Sequence, residues 1–198
     1  MLFVGLTGGL GSGKSEALAA CERLGAATLS SDAVVHELLG TPEVRDLLKD
    51  RWGDRVLSGT EVDRGAVASI VFDNPDELAW LEGSLFPRVG ARIAAWRAGL
   101  EQRVSAPPVA VVEIPLLFEA GIEGVFDVTL AVVADEAIRA ERAAARDHEA
   151  LEGRTGRQLT QDEKAARADY VIRNDGSLED LEAALAATLE ELRARVER

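Results

Sequence analysis

Residues 7–16 read TGGLGSGKSE, with four glycines from Gly8 to Gly13 set directly ahead of Lys14 and Ser15. Glycine weakens a helix and gives a strand interior nothing to pack, so this stretch is a loop with a task. The residues before it, Leu2 to Leu6, form an apolar run without alternation, the pattern of a strand buried on both faces of a parallel sheet. After it, Ala17, Leu18, Cys21 and Leu24 recur at helical spacing, and Gly25 is placed to end the helix. Strand, glycine loop and helix in that order match the phosphate-binding pattern of a glycine, four residues, then Gly-Lys-Ser. In this reading Gly9, Gly11, Ser12 and Gly13 turn successive N–H groups inward as a nest, and the helix adds its positive end. The glycines make room for a triphosphate, Lys14 reaches the β- and γ-phosphates, and the Ser15 hydroxyl serves Mg²⁺.

The rest of the chain narrows what such a loop serves. At 198 residues there is material for one domain, 1–198, with one core that can carry an inserted subdomain. No apolar stretch is long enough to span a bilayer, and the MLFVGLTGG start lacks the basic residues of a secretory signal, so no membrane and a cytoplasmic location are expected. Cys21 is the one cysteine and His36 and His148 the two histidines, which excludes an internal disulfide and leaves no structural zinc cluster. A net charge of −13 argues against a nucleic-acid partner. The charge is uneven, since residues 139–173 hold eight Lys or Arg against seven Asp or Glu. No Asn-Lys-x-Asp occurs to read guanine, and Val132-Val133-Ala134-Asp135 is a poor match to the acidic strand of transport and remodelling ATPases.

The pattern predicts an α/β chain with five parallel strands: the first run, Ala26 to Leu29, Val109 to Ile114, Val128 to Ala134 and Tyr170 to Ile172. Residues 33–104 read as a mostly helical, inserted subdomain, with stripes at Val44, Leu47, Leu48 and Trp52 and from Leu78 to Trp96, the second broken in two by Pro87. Ala137 to Arg146 reads as helix. The polar stretch from His148 to Lys164 lacks an apolar stripe and reads as an arm, within a lid of residues 147–165. Ser177 and Asp180 make a capping pair for a last helix with its stripe at Leu178, Leu181, Leu185, Leu189, Leu192 and Val196.

A small-molecule kinase needs a phosphate loop, an acid near the acceptor hydroxyl, and arginines over the transferring phosphate. Asp32, at the tip of the second strand, can orient or deprotonate an acceptor hydroxyl, or cap the helix that follows. Arg139, Arg142 and Arg146, spaced three and four apart, share a helix face and suit a closing lid.

With these residues in view the chain resembles the dephospho-coenzyme A kinase family along nearly its whole length. The resemblance is carried by GLTGGLGSGKS, by Asp32 in LSSDAVVHELL, by VDRGAVASIVFDNP, EIPLLFE and RAAARD, and by ADYVIRNDG. It implies a three-layer α/β/α P-loop kinase fold that moves the γ-phosphate of ATP to the ribose 3′-hydroxyl of dephospho-coenzyme A, with Mg²⁺ held at Ser15. By that resemblance Asp32, Lys14 and Arg142 are catalytic, and ATP lies along Gly9, Gly11, Ser12, Gly13, Lys14, Ser15 and Glu16. Asn174 and Gly176 would border its adenine, while Arg64, Pro115, Leu116 and Leu117 would lie near the acceptor. Three positions depart from the family pattern: Glu16 follows the loop serine, Ser30 replaces the first acid of an Asp-x-Asp pair, and Phe86 stands where a histidine is common. Another P-loop kinase, or a nucleotide-binding regulator without efficient transfer, are the alternative readings, and a monomer or weak oligomer is expected.

Overall fold

The computed structural model describes residues 1–144 and 158–196. The chain divides into two units, Met1–Ser30 with Gly99–Arg198, and Ser31–Ala98.

The first unit is built on five strands: β1 (Leu2–Gly8), β2 (Ala27–Ser30), β5 (Val109–Glu113), β6 (Val128–Val133) and β7 (Tyr170–Arg173). They lie in the order β2-β5-β1-β6-β7 and every pairing is parallel. The central three are the most continuously apolar, as strands covered on both faces must be. Val4 of β1 sits beside Val111 of β5 and Val128 of β6. Because all strands run the same way, Gly8, Ser30, Glu113, Val133 and Arg173 end on one edge, the edge where open α/β sheets bind ligands.

Two helices cover a face of this sheet. The first, α1 (Lys14–Arg23), buries Ala17, Ala20 and Cys21, and Gly25 ends it with φ 85°. The last, α8 (Leu178–Val196), starts where Ser177 Oγ accepts from Asp180 N and the Asp180 carboxylate accepts from Ser177 N. Leu181, Leu185, Leu189 and Leu192 join α1 in one core with Val4, Leu6 and Val111. The ends of the predicted stripe do not: Leu178 is 59% and Val196 39% exposed, because the sheet beneath is shorter than the helix.

The predicted helix after β6 is α6 (Glu136–Ala144). Arg146 and the arm from His148 to residue 157 lie outside the described residues. The end of the predicted arm is a helix instead, α7 (Gln161–Arg167), closed by a capping box in which Thr160 and Glu163 satisfy each other's backbone N–H. Seven residues are too few to show a stripe, and the buried member is a lysine, Lys164.

The second unit holds α2 (Ser31–Leu39), α3 (Pro42–Trp52), α4 (Arg64–Phe72) and α5 (Pro75–Glu101). Thr41 caps α3 with Pro42 in its first turn, and Asp63 caps α4 by accepting from Ala66 N. A short antiparallel pair, β3 (Leu57–Ser58) and β4 (Glu61–Val62), turns at Gly59 and interrupts what the sequence reads as helix. Trp52 and Trp80 meet edge to face at 5.1 Å, while Glu77 accepts from Trp52 Nε1 and pairs with Arg51. Arg51 and then Trp52 hold the Glu77 carboxyl below the usual glutamate range.

Pro87 does not split the second stripe: α5 runs through it as one helix. The proline removes the N–H that would reach Gly83, a residue with open space where a side chain would stand, and Arg88 Nη1 donates to the Ser84 carbonyl one turn back. Burial of Leu85, Val89 and Ile93 on the same helix offsets the local penalty of about 3 kcal/mol. Among the described residues no helix is long and apolar enough to cross a membrane.

Candidate phosphate-binding and active site

The glycine loop runs from the C-terminal end of β1 to the first turn of α1, at the centre of the sheet's ligand-binding edge. Gly11 and Gly13 have φ 72° and 91°, left-handed conformations that strain any other residue. Space excludes a side chain as firmly as backbone does. A Cβ on Gly11 would stand 2.5 Å from the Arg139 carbonyl oxygen, and one on Gly13 2.1 Å from Asn174 Nδ2. The expectation that the glycines make room for phosphate is therefore incomplete, since at these two positions protein atoms already occupy the space.

Three of the loop carbonyls are held by side-chain donors. Gly9 O accepts from Lys14 Nζ at 2.9 Å and from Ser12 N at 3.3 Å. Leu10 O accepts from Arg139 Nε at 2.8 Å, and Ser12 O from Asn174 Nδ2 at 2.9 Å. In a planar trans peptide the N–H points opposite to the C=O, so these contacts turn the amides of Leu10, Gly11 and Gly13 the other way. The Ser12 hydroxyl is buried with no hydrogen-bond partner among the described residues.

Ser15 follows in the first turn of α1, and its Oγ is 3.4 Å from Oε1 of Glu113, the last residue of β5. Glu113 is 6% exposed. The sequence carries it within EIPLLFE with no role of its own, and its place at the end of a buried strand is the signal that marks it. Glu16 points along α1, 3.2 Å from Arg23, which also binds Glu182. That pairing turns the charge of a departing position away from the loop.

Beyond β7, Asn174 is 4% exposed and its N–H donates to Val133 O. Its carbonyl accepts from Arg142 Nη1 at 3.0 Å, so the predicted phosphate-holding arginine and the predicted adenine neighbour share one network with the loop. Asp175 follows, its carboxyl held below the usual aspartate range first by the Asp135 N–H and then by Arg173. At Gly176 a Cβ would come 2.5 Å from Asp180 Oδ2, which is engaged in the cap of α8.

The turn after β5 is fixed through Pro115, whose carbonyl accepts from Thr7 Oγ1 at 3.3 Å and from Lys164 Nζ at 2.5 Å. Lys164 is wholly buried and pairs with Glu119 at 2.9 Å, and the same carboxylate oxygen accepts from Leu159 N. Leu116 is half-buried, whereas Leu117 is wholly buried over Gly5 of β1, which leaves its side chain no surface for an acceptor.

In the helical unit, Asp32 is in the first turn of α2 rather than at its cap, because the helix begins at Ser31. His36 lies one turn on, and its Nδ1 is 2.5 Å from Nη1 of Arg64, the first residue of α4. The unit thus brings Arg64 to the helix that carries Asp32, and all three side chains are exposed.

Comparison with known proteins agrees with this arrangement. A family model described as dephospho-CoA kinase matches residues 2–180. The chain is 38% identical to the dephospho-CoA kinase of Deinococcus radiodurans, over 96% of this chain and 91% of that one. It is likewise 38% identical to a dephospho-CoA kinase of Thermus thermophilus, over 96% and 92%. The crystal structure of TT1252 from Thermus thermophilus superposes with a TM-score of 0.79 at 36% identity, covering 96% of this chain and 97% of that one. Dephospho-CoA kinase from Campylobacter jejuni, at 23% identity, shares the fold with a TM-score of 0.66 over 96% of each chain. A parallel sheet with a phosphate loop at its centre, matched over nearly the full length, leaves one conclusion: the chain belongs to the dephospho-CoA kinase family, whose kinases carry out the final step of coenzyme A biosynthesis.

Proposed function

We propose that the loop from Gly8 to Ser15 holds the triphosphate of ATP, and that Asp32 directs the ribose 3′-hydroxyl of dephospho-coenzyme A at its γ-phosphorus. The observation that carries this reading is that the Gly9, Leu10 and Ser12 carbonyls are held by Lys14, Arg139 and Asn174, which leaves the amides of those peptides turned the other way for an anion. In the transfer the 3′-oxygen bonds to the γ-phosphorus as the bridging P–O bond to the β-phosphate breaks. The hydroxyl proton passes to Asp32, and ADP leaves with the bond's electron pair. Lys14 lies against the loop and extends to the β- and γ-phosphate oxygens, and Arg142 neutralises charge on the moving phosphoryl group.

Mg²⁺ suits the residues present. The Ser15 hydroxyl and the Glu113 carboxylate are hard oxygen donors on neighbouring elements, and Mg²⁺ takes few protein ligands, completing its shell with water and phosphate. Bound there it would neutralise β- and γ-oxygen charge. Ser15 would hold it directly, and Glu113 would orient the Ser15 hydroxyl or a water of its shell. Arg64, with Pro115 and Leu116, is assigned to the acceptor, while Asn174 and Gly176 border the nucleotide.

ADP release measured with Mg·ATP against dephospho-coenzyme A, shikimate and nucleoside monophosphates tests the assignment. Dephospho-coenzyme A is the acceptor expected to stimulate release. Release no faster than with buffer, while another acceptor works, would overturn it.

A further inference from the structure

We propose that Asn174 and Arg139 are positioning residues that aim the Gly13 and Gly11 amides of the phosphate loop, so that Asn174 acts on the triphosphate through the loop and not on the nucleotide base. The inference rests on the reading of that loop as the ATP phosphate site.

A loop that turns N–H groups toward an anion must turn the carbonyls of the same peptides away from it. Where those carbonyls meet protein instead of water, each needs a donor or carries a desolvation cost. Ser12 is wholly buried, and the donor to its carbonyl is Asn174 Nδ2 at 2.9 Å. The next N–H along is that of Gly13, the residue before α1. Leu10 O is met in the same way by Arg139 Nε at 2.8 Å, and that peptide's N–H belongs to Gly11. Two side chains, one just after the edge strand β7 and one on α6, therefore set the orientation of two loop peptides.

Both are themselves held. Asn174 is 4% exposed, its N–H is taken by Val133 O and its carbonyl by Arg142 Nη1, so the backbone that carries its side-chain amide is fixed at the end of β7. Arg139 is braced by Glu136 at 2.6 Å, its side chain only 19% exposed. The fit is mutual: the missing side chain of Gly13 admits Asn174, and that of Gly11 admits the Arg139 backbone. A mere fastener between β7 and the loop would also look like this, and ligand dependence separates the two roles.

The experiment measures affinity by calorimetry for three probes, Mg·ATP, Mg·tripolyphosphate and dephospho-coenzyme A without nucleotide, in wild type, Asn174→Ala, Arg139→Met and Arg139→Lys. Asn174→Ala is expected to weaken ATP and tripolyphosphate by one common factor, about 10- to 100-fold, the worth of a hydrogen bond to a charged group. Dephospho-coenzyme A should bind as before. Arg139→Met should show the same pattern, and Arg139→Lys, which keeps a donor, should recover most of the loss.

Loss of ATP binding with tripolyphosphate binding intact would overturn the inference, since Asn174 would then read the base. A proportional loss of dephospho-coenzyme A would overturn it too, by revealing a general loosening, as would no loss at all. Should Asn174→Ala fail to fold, the Arg139 pair decides alone. A wild type that binds neither phosphate probe would sink the reading of the loop itself, a different failure from a binding wild type with unaffected variants.

Discussion

The sheet unit and the helical unit keep their polar groups in opposite places. In the first, Ser12, Glu113, Lys164 and Asn174 are buried, and one of the contacts that hold the phosphate loop, from Asn174 to the Ser12 carbonyl, lies among them. In the second, Ser31 is the buried polar residue among those described, and Asp32, His36 and Arg64 are exposed. Buried polar groups are costly unless paired, so their geometry is set by folding itself, before any ligand arrives. Exposed ones adjust at small cost, because water takes up whatever bond is broken. Phosphoryl transfer needs fixed dipoles where charge develops, and under the proposed function the sheet unit would supply them. An acceptor hydroxyl has only to be aimed, which one carboxylate on a helix end can do.

The sharpest break in that contrast is at Asp32. Asparagine there keeps the shape and removes the proton acceptor, so kcat should fall by about 10²- to 10⁴-fold while ATP affinity stays near wild type. Steady-state rates with calorimetric ATP binding check both halves; wild-type turnover in Asp32→Asn would end the assignment. Lys164 tests the buried side. Lys164→Met strips the wholly buried partner from Glu119, itself mostly covered, and should cost about 3–5 kcal/mol in denaturant unfolding. The double variant Lys164→Met with Glu119→Leu should regain much of it, because no unpaired charge is left. Removing Arg51 from its exposed pair with Glu77 in the helical unit should cost far less.

What was legible in the sequence follows the same division. Leu2 to Leu6, Val109 to Ile114 and Val128 to Ala134 announce themselves because a strand covered on both faces is apolar along most of its length, with Glu113 and Thr129 as the polar exceptions. Gly-Lys-Ser after a strand gives the loop's place from local spacing alone. Contacts made by topology leave no local trace: Asn174 reaches Ser12 across 162 residues, and Ser15 meets Glu113 across 98. Pro87 misled because the penalty is local and its compensation tertiary, in the burial of Leu85, Val89 and Ile93. Likewise α7 went unread because its one inward residue is a lysine, a type expected in water until Glu119 and the Pro115 carbonyl are known to face it.

Glu113 probes whether the preformed half extends to the metal. Glu113→Gln keeps the volume at the end of β5 but withdraws the charge beside Ser15, and should raise the Mg²⁺ concentration for half-maximal activity by about 10- to 100-fold. Dephospho-coenzyme A affinity, assigned to other residues, should be unaffected; an unchanged Mg²⁺ requirement would detach Glu113 from the site.

The smallest effect belongs to Cys21, where the sheet unit's dry packing acts on a group with no part in the chemistry. Burial among Ala17, Ala20 and α8 pushes its thiol up to about 11. A thiol whose folded value is raised gives stability that is complete below its unfolded value, near 9, and is lost as pH climbs toward the folded one. Wild type should therefore lose about 1 kcal/mol relative to Cys21→Ala between about pH 8 and pH 10, whatever the other titrating groups do to both proteins. Urea unfolding of the pair across that range measures the difference. Parallel curves would mean that water reaches Cys21 after all, and that the sheet unit is less sealed than its buried polar network requires.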